Sequence, residues 1–273
     1  MHIDILTLFP EMIEAAAGSS MLGRAQRGGV LEINAVNIRD FTVDKHNKTD
    51  EAPFGGGAGM VMTAQPVFDA LRSVHAEDSR LIYMSPKGRI LDQDIVSSLS
   101  KDEHLVFLCG HYEGIDQRII DFWKPDEISI GDYILTGGEL AALVVIDAVS
   151  RMVPGVLGNE SSVMGESVYS GLLEYPQYTR PRIYEGMEVP EVLLSGDHSR
   201  VGLWQYRRSL EETRDRRPDM WQAYLNKAER LELSKKELEI LADVSGNESF
   251  RPRKRRKKKK KADVSSADIE GKQ

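Results

Sequence analysis

The sequence predicts an α/β protein: a mostly parallel sheet with helices on both faces, followed by a small, mainly helical C-terminal domain. Strand-like and helix-like segments alternate through the first 150 residues, which is the pattern of a parallel sheet covered by crossover helices. Two strand-like runs end in glycine and then in polar residues, as strands do at the ligand-binding edge of such sheets. From Leu172 the chain is first rich in proline and then helical in its periodicity, which indicates a second unit.

The first strand is predicted at 3–8, where β-branched residues alternate, and it ends at Phe9-Pro10. A helix follows at 11–17, because Pro10 suits the first turn of a helix. A strand at 80–84 is predicted to stop at the turn-forming segment Ser85-Pro86-Lys87-Gly88. Further strands are predicted at 31–36, 105–108 and 128–130, and further helices after the caps Thr63 and Asp92.

The stretch from His104 to Glu139 contains both glycine-rich strand ends. The run 105–108 breaks into a glycine and polar cluster at 109–116, and the run 128–130 breaks into another at 131–139. Exposed backbone amides and carbonyls at neighbouring strand ends can bind a ligand, and glycine lets the ligand approach closely. The two clusters therefore predict one binding pocket at the carboxyl edge of the sheet.

A third glycine-rich segment, Gly55-Gly56-Gly57-Ala58-Gly59-Met60, is predicted to be a loop that is either flexible or pressed against a ligand. It is not a phosphate-binding P-loop, because no Gly-Lys-Ser/Thr follows it. It does not match a dinucleotide fingerprint either, because Met60 stands where the third glycine is needed. A dehydrogenase built on such a fingerprint is accordingly disfavoured.

A nearly all-round apolar helix is predicted at 139–152. Such a helix is expected to be buried in the core or against another subunit. Asp147 faces the same way as Leu140 and Leu143, so we predict a buried carboxylate with hydrogen-bond partners and a structural rather than a catalytic role.

Composition excludes several classes of protein. No apolar run approaches the roughly 18–20 residues that span a bilayer, and the first four residues lack the start of a secretory signal, so we expect no membrane association and a cytoplasmic location. The lone Cys109 allows no internal disulfide and no cysteine-based metal cage. It is expected to be a small core residue rather than a nucleophile. No dense ligand spacing predicts a metal site.

The end of the chain is basic, whereas the rest of the chain is acidic. Eleven of the 36 basic residues, but only 3 of the 43 acidic ones, lie from Arg251 onward, which leaves a net charge of about −15 before that point. An acidic body argues against broad polyanion binding, so a nucleic-acid site has to be a local basic patch. We predict an N-terminal domain at 1–158, a polar linker at 159–171, a C-terminal domain at 172–246 and a disordered basic tail at 247–273.

The C-terminal domain is predicted to contain helices at 201–213, 219–228 and 234–243, the last beginning with a capping box of Ser234 and Glu237. Basic and aromatic residues are interleaved there, which suits RNA because cations meet phosphates and rings stack on bases. An ordinary solvated helix face balanced by acids is the alternative, and composition leaves both open. The basic and aromatic residues are Arg200, Trp204, Tyr206, Arg207, Arg208, Arg214, Arg216, Arg217, Trp221 and Tyr224; the acids are Glu211, Glu212 and Asp215.

Six strings in the chain point to one family, and several of them are long enough to be highly specific. They are LFPEM from Leu8, GGGAGM from Gly55, GHYEGID from Gly110, SIGDYILTGGE from Ser129, PGVLG from Pro154 and GMEVPEVLLSG from Gly186. Together they closely resemble the bacterial tRNA (guanine-N1)-methyltransferase family, TrmD, of the SPOUT class, over roughly residues 1–245. The resemblance implies a trefoil knot, a homodimer, S-adenosylmethionine as methyl donor, and methylation of tRNA at N1 of the guanine immediately 3′ of the anticodon.

The resemblance also implies roles for individual residues. Gly57, Gly59 and Met60 would help to hold the target guanosine, and Arg207 and Arg208 would bind tRNA. The residues implied for S-adenosylmethionine are Tyr83, Ser85, Pro86, Gly110, Tyr112, Glu113, Ile130, Gly131, Asp132, Tyr133, Ile134, Leu135, Gly137 and Gly138, of which Glu113 could instead orient the base.

Methylation at N1 of guanine needs a base and a cation. N1 bears a proton at neutral pH, so a carboxylate has to remove it, and a cation should stabilise the charge that moves onto O6. Arg151 and the carboxylates of the predicted linker meet this description. The resemblance places the base at Glu166, where the family carries Asp, and Glu160 is the alternative base. Assistance by Mg2+ is left open.

A noncatalytic RNA-binding or ribosome-associated protein is the alternative function. Only the glutamate at position 166 favours it. Arg151, Glu113 and both glycine-rich loops favour the enzyme.

Overall fold

The computed structural model of the chain describes residues 1–157, 171–228 and 230–252. The chain divides into two compact units between Tyr169 and Ser170, within the predicted linker. The predicted domain boundaries themselves stay a prediction. Among the described residues, no helix is both long enough and apolar enough to cross a bilayer.

The first unit contains seven strands among its described residues. They are β1 (His2–Thr7), β2 (Glu32–Asn37), β3 (Asp50–Glu51), β4 (Val61–Met62), β5 (Arg80–Ile90), β6 (His104–Cys109) and β7 (Asp126–Ser129). Five of them form a sheet in the order β2-β1-β6-β5-β7, in which every pair of neighbouring strands is parallel. A short antiparallel ladder of β3 and β4 is separate from this sheet.

Helices cover both faces of this sheet, which confirms the predicted fold class. One core cluster joins Ile5 and Phe107 to α1, α2, α4 and α6, and the other joins Leu6 and Leu108 to α3 and α5. Successive strand residues point to opposite faces, so the central strands β1 and β6 contribute to both clusters. The helices are α1 (Pro10–Ala17), α2 (Ser20–Arg27), α3 (Ala64–Ser73), α4 (Gln93–Leu99), α5 (Gln117–Trp123) and α6 (Glu139–Ser150).

The prediction that the strand starting at Arg80 stops at Met84 is wrong. The strand β5 continues to Ile90, with a register shift against β7 between Met84 and Arg89. The turn-forming segment is absorbed as an irregularity within the strand, because Gly88 lets β5 approach β7 where a Cβ would overlap the backbone of Glu127 and Ile128.

The helix α6 is buried on one face only. Ala142, Val145 and Ile146 are fully buried, whereas Leu140 and Val144 are about half exposed. Asp147 is exposed as well, so the prediction of a buried carboxylate is wrong for the single chain. The helical period places Asp147 with Leu140 and Val144 on the face that the core does not cover.

The second unit confirms the three predicted helices. A short ladder of β8 (Ile183–Tyr184) and β9 (Met187–Glu188) precedes α7 (His198–Arg216), α8 (Pro218–Ala228) and α9 (Lys235–Ser245). The capping box of α9 is present: the backbone N–H of Glu237 donates to Ser234 Oγ, and that of Ser234 donates to the Glu237 carboxylate. The core of this unit consists of Leu172, Leu210, Tyr224, Ala228, Leu241 and Val244.

Candidate functional site

A cavity of about 290 Å³ lies where the middle of β5 and the carboxyl ends of β6 and β7 meet the start of α6. Its volume is near the lower end of the range of small-molecule pockets. All the residues predicted to bind a cofactor line it, except Asp132. The structure therefore brings together strand ends that are distant in sequence, at the edge where parallel sheets bind ligands.

The start of α6 rests directly on the end of β6. The backbone N–H of Gly138 donates to the carbonyl of Gly110 at 2.9 Å. A Cβ on residue 138 would lie 2.8 Å from the Cα of Cys109, closer than real Cβ atoms come. Glycine is required at position 138 because only a bare backbone allows this approach.

Tyr83 closes the cavity from the side of β5. A Cβ on residue 110 would lie 2.9 Å from the Tyr83 hydroxyl oxygen, so Gly110 makes room for this ring. Burial and the nearby Glu127 carboxylate raise the pKa of Tyr83 to about 12, against a smaller lowering by the backbone N–H of Ile115. The phenol is therefore neutral at physiological pH and available as a hydrogen-bond donor.

Two polar residues of the cavity were missed by the sequence analysis. Within the described ranges, Glu127 Oε2 and His111 Nδ1 are buried without a hydrogen-bond partner, and both residues line the cavity. Buried polar atoms without partners are rare, and a bound ligand is one explanation for them. Glu127 had one local signal, because it alternates with the apolar Ile128 in β7. Its pairing in register with Tyr83 of β5 is visible only in the structure.

The glycine-rich loop at 53–60 lies beside the cavity. The backbone N–H of Glu113, which lines the cavity, donates to the carbonyl of Met60 at 3.0 Å. Gly59 has φ +89°, and a Cβ there would overlap the Glu113 side chain. Of the residues predicted to hold the target base, the structure thus places Gly59 and Met60 next to the cavity.

The rim of the cavity carries strained and exposed residues. Tyr112 has φ +57°, a conformation that non-glycine residues rarely adopt, and its ring contacts that of His111 at 4.9 Å between centroids. Tyr133 and Ile134 are exposed, Ile134 to 82%. Strain and exposed apolar side chains around one cavity are features of a binding site.

Of the two predicted catalytic residues, Arg151 is not brought to the cavity of its own chain. Arg151 follows the last residue of α6 and is exposed, and it is not among the residues that line the cavity. Since α6 has 12 residues, its two ends lie about 18 Å apart, farther than an arginine side chain extends. Glu166 and the alternative base Glu160 lie outside the described residues.

Cys109 is a core residue. It is fully buried at the end of β6, and burial together with the charge of Glu139 raises the pKa of its thiol well above the ordinary value. A thiol with a raised pKa is a poor nucleophile, which agrees with the expectation that Cys109 is a packing residue.

The aromatic residues of the second unit fall into two groups. Tyr206 and Tyr224 hydrogen-bond to each other at 3.0 Å and pack with Trp221 in the core, so they are not free to stack on bases. Trp204 instead contacts the rings of Tyr175 and Tyr178 and has the guanidinium of Arg208 5.9 Å from its ring centroid.

The arginines beside these rings are paired with acids, as the alternative interpretation expects. Arg207 pairs with Asp243 at 3.2 Å, and Arg208 pairs with Glu211 at 2.8 Å. Both guanidinium groups are about half exposed, and exposed pairs of this kind are weak. Phosphate groups could therefore compete with the acids for these cations.

Comparisons with known proteins agree on one family. Residues 1–223 match the family described as tRNA (Guanine-1)-methyltransferase TrmD. The chain is 56% identical to a tRNA (guanine-N(1)-)-methyltransferase of Ruminiclostridium cellulolyticum over 83% of this chain and 99% of that protein. It is 52% identical to the protein of the same name in Alkaliphilus metalliredigens, over 90% and 98%, and 54% identical to that of Limosilactobacillus reuteri, over 81% and 89%.

Proposed function

The chain belongs to the tRNA (guanine-1)-methyltransferase TrmD family, and we propose that it transfers a methyl group from S-adenosylmethionine to N1 of the guanine immediately 3′ of the anticodon in tRNA. The observation that carries this proposal is the cavity at the carboxyl edge of the sheet, which is lined by glycine-rich strand ends. The glycine-rich loop at 53–60 lies against that cavity through Glu113, which supports a role for this loop in holding the target base.

The residues of the cavity fit S-adenosylmethionine. Gly110 and Gly138 leave backbone exposed at places that a Cβ would fill, and backbone amides and carbonyls can recognise the edge of adenine. Glu127 Oε2, a buried acceptor without a partner among the described residues, suits a hydroxyl or amino donor of the ligand. When bound there, the cofactor supplies a methyl group already activated by its sulfonium, so the protein needs no metal or covalent nucleophile for the transfer itself.

The remaining task is to make N1 nucleophilic. We assign proton removal from N1 to the carboxylate of Glu166, with Glu160 as the alternative, and stabilisation of the charge on O6 to the guanidinium of Arg151. Glutamate replaces the usual aspartate at position 166 and carries the same group on a side chain one methylene longer. Glu113, next to Gly59 and Met60, would orient the base or the cofactor.

The site is completed by a second subunit in this proposal. Arg151 lies about 15 Å along α6 from Ala141, a residue of that helix that lines the cavity of its own chain, so it has to act on the cavity of a neighbouring one. The exposed apolar residues Leu140 and Val144 lie on the same face of α6 as Arg151 and would form the interface of a homodimer.

The second unit and the tail would bind tRNA outside the reacting base. Trp204, Tyr178 and Arg208 form a partly exposed ring and cation group that suits unpaired bases and phosphates. The basic residues from Arg251 onward add attraction that depends on salt. A tRNA substrate and a buried free cysteine both fit the reducing cytoplasm.

The test is methyl transfer from labelled S-adenosylmethionine to an unmodified tRNA that carries guanine just 3′ of its anticodon. The same tRNA with adenine at that position is the substrate control. Wild type is compared with Glu166→Gln and Glu160→Gln, and each is assayed with Mg2+ and with chelator.

Activity in the wild type, with a loss of at least about a hundredfold in Glu166→Gln alone, supports both the reaction and the base. A loss in Glu160→Gln alone keeps the reaction and moves the base to residue 160. A wild type that binds the cofactor but methylates no guanine-containing tRNA would overturn the proposed reaction.

A further inference from the structure

A row of polar residues crosses the sheet at its amino edge, opposite the cofactor cavity. His2 of β1 is in register with His104 of β6 and with Glu32 of β2. Asp4 follows His2 on the same face of β1, two residues on. Ser79 precedes β5 directly and so reaches the neighbourhood of His104. Parallel pairing thus collects side chains from three strands and from the residue that precedes a fourth.

Three of these side chains converge on one point. Nε2 of His2 lies 2.9 Å from Oδ2 of Asp4, and Nε2 of His104 lies 2.8 Å from the same oxygen. The two imidazole rings have their centroids 4.6 Å apart. The atoms through which these residues could bind an ion all lie within 4.8 Å of one another.

The outward-facing atoms of the three residues are held by further partners. Nδ1 of His104 lies 2.5 Å from Ser79 Oγ, and Nδ1 of His2 lies 3.3 Å from a carboxylate oxygen of Glu32. Asn34 reaches Oδ1 of Asp4 at 3.4 Å. Histidines that bind metals use one ring nitrogen for the ion and the other for such a partner, which fixes the orientation of the ring.

We propose that His2, Asp4 and His104 bind a divalent transition-metal ion, with Zn2+ as the ion that fits best. Two imidazoles and one carboxylate suit Zn2+ and its neighbours, whereas Mg2+ and Ca2+ prefer oxygen ligands. In a tetrahedral zinc site with bonds of about 2.0 Å, ligand atoms lie about 3.3 Å apart, so the contacts of 2.8 and 2.9 Å need to open only slightly. Three protein ligands leave the fourth position for water.

The site is accessible and separate from the methyl-transfer chemistry. The side chains of His2 and His104 are 33% and 26% exposed, while Asp4 beneath them is buried. His104 begins β6 and Gly110 follows its end, so the two sites lie roughly 20 Å apart along the strand. The ion would tie the start of β1 to the start of β6 and stabilise the fold. The sequence showed no such site, because His104 and Asp4 are 100 residues apart.

The experiment uses the full-length chain without any affinity tag, stripped of metal with a chelator and dialysed. Zn2+ is titrated by calorimetry, and Co2+ is added separately to record its visible absorption, which reports tetrahedral coordination. Melting temperature is measured with and without Zn2+. The variants are His104→Gln, which removes a ligand, and Ser79→Ala, which removes only the partner of His104. The matched control is His75→Gln, because His75 is exposed and lies outside the cluster.

We expect one Zn2+ per chain and a rise in melting temperature of roughly 5 °C or more when free Zn2+ exceeds its Kd a hundredfold. His104→Gln should lose at least about a hundredfold in affinity, and Ser79→Ala about tenfold or more. His75→Gln should match the wild type. Unchanged S-adenosylmethionine binding shows that each variant is folded. The proposal is overturned if the wild type binds no Zn2+, or if His104→Gln binds it with the affinity of the wild type.

Discussion

The backbone N–H of Gly138 is bonded to the carbonyl of Gly110, so the last residue before α6 and the first residue after β6 form one wall of the cavity. This contact joins two of the six strings that resemble the family, one that follows β6 and one that begins at the last residue of β7. It also makes position 138 the most sensitive point of the wall, because the atoms around it belong to the backbone and cannot rotate away.

Gly138→Ala should weaken the binding of S-adenosylmethionine by tenfold or more. The new Cβ would lie 2.8 Å from the Cα of Cys109, which forces α6 away from β6. The affinity is measured by calorimetry. Gly202→Ala is the control, because nothing lies within 4 Å of a Cβ on this helical glycine and the change should stabilise the chain slightly. Equal cofactor affinity in both variants would contradict the packing argument.

A comparison of Gly59→Ala with Gly55→Ala separates the effect of backbone strain from the effect of a contact with the Glu113 side chain. Both glycines have positive φ, near +89° and +87°, so both substitutions strain the loop. Only the Cβ at position 59 meets the Glu113 side chain, while nothing lies near position 55. Steady-state kinetics should therefore show a loss of kcat/KM for tRNA about tenfold larger in Gly59→Ala. Similar losses in both would mean that the contact with Glu113 is unimportant.

Tyr83 should make stability depend on alkaline pH. Its pKa is about 12 in the folded chain against an ordinary 10, so it stabilises the fold fully below pH 10, and this contribution is lost as the pH rises through about 12. Two pH units correspond to about 2–3 kcal/mol. Urea unfolding is measured from below pH 10 to about pH 12. Over this range the free energy of unfolding of Tyr83→Phe should fall less than that of the wild type, by about 2–3 kcal/mol. If the free energy of unfolding falls equally with pH in the two proteins, folding does not raise the pKa of Tyr83.

Val144→Glu should dissociate the proposed homodimer. Val144 is about half exposed on the uncovered face of α6, and a buried carboxylate there would be unpaired. Sedimentation should show monomers at concentrations where the wild type is dimeric, with methyl transfer reduced at least tenfold. Val43→Glu, at an exposed site in another part of the unit, is the control. A dimeric and active Val144→Glu would exclude this face as the interface.

Arg208→Ala should weaken tRNA binding more than Arg216→Ala. Both substitutions remove one positive charge from α7 and break one pair with a glutamate. Arg208 also lies over the ring of Trp204, where an unpaired base could stack. Filter binding at two salt concentrations should show about a tenfold larger loss for Arg208→Ala, with the same change in salt dependence. Equal losses of tRNA affinity in the two variants would mean that the positive charge accounts for the effect and the contact with Trp204 does not.

Sequence reasoning succeeded where local pattern and backbone geometry agree. The alternation of strands and helices and the caps at Asp92 and Ser234 follow from residues close together in sequence. Each of the two glycine-rich runs that line the cavity is also a local pattern, although the runs come from different strand ends. The all-parallel sheet then follows, because strands joined by helices pair in parallel.

It failed where pairing between distant residues decides the outcome. Nothing local shows that Gly88 fits against β7 and lets β5 continue, or that Asp147 faces away from the core. The helical period of α7 and α8 could not separate Tyr224, which is core, from Trp204, which is not. The register of β1 with β6 that brings His2 to His104 is likewise a property of the whole sheet.

The cavity wall of bare backbone has a consequence for inhibitors of this chain. A compound that hydrogen-bonds to main-chain atoms near Gly110 and Gly138 recognises groups that every residue except proline retains. Any replacement of Gly138 adds a Cβ that collides with neighbouring backbone, and any replacement of Gly110 crowds the Tyr83 ring. Resistance by substitution at these positions would therefore damage the binding of the natural cofactor together with that of the drug.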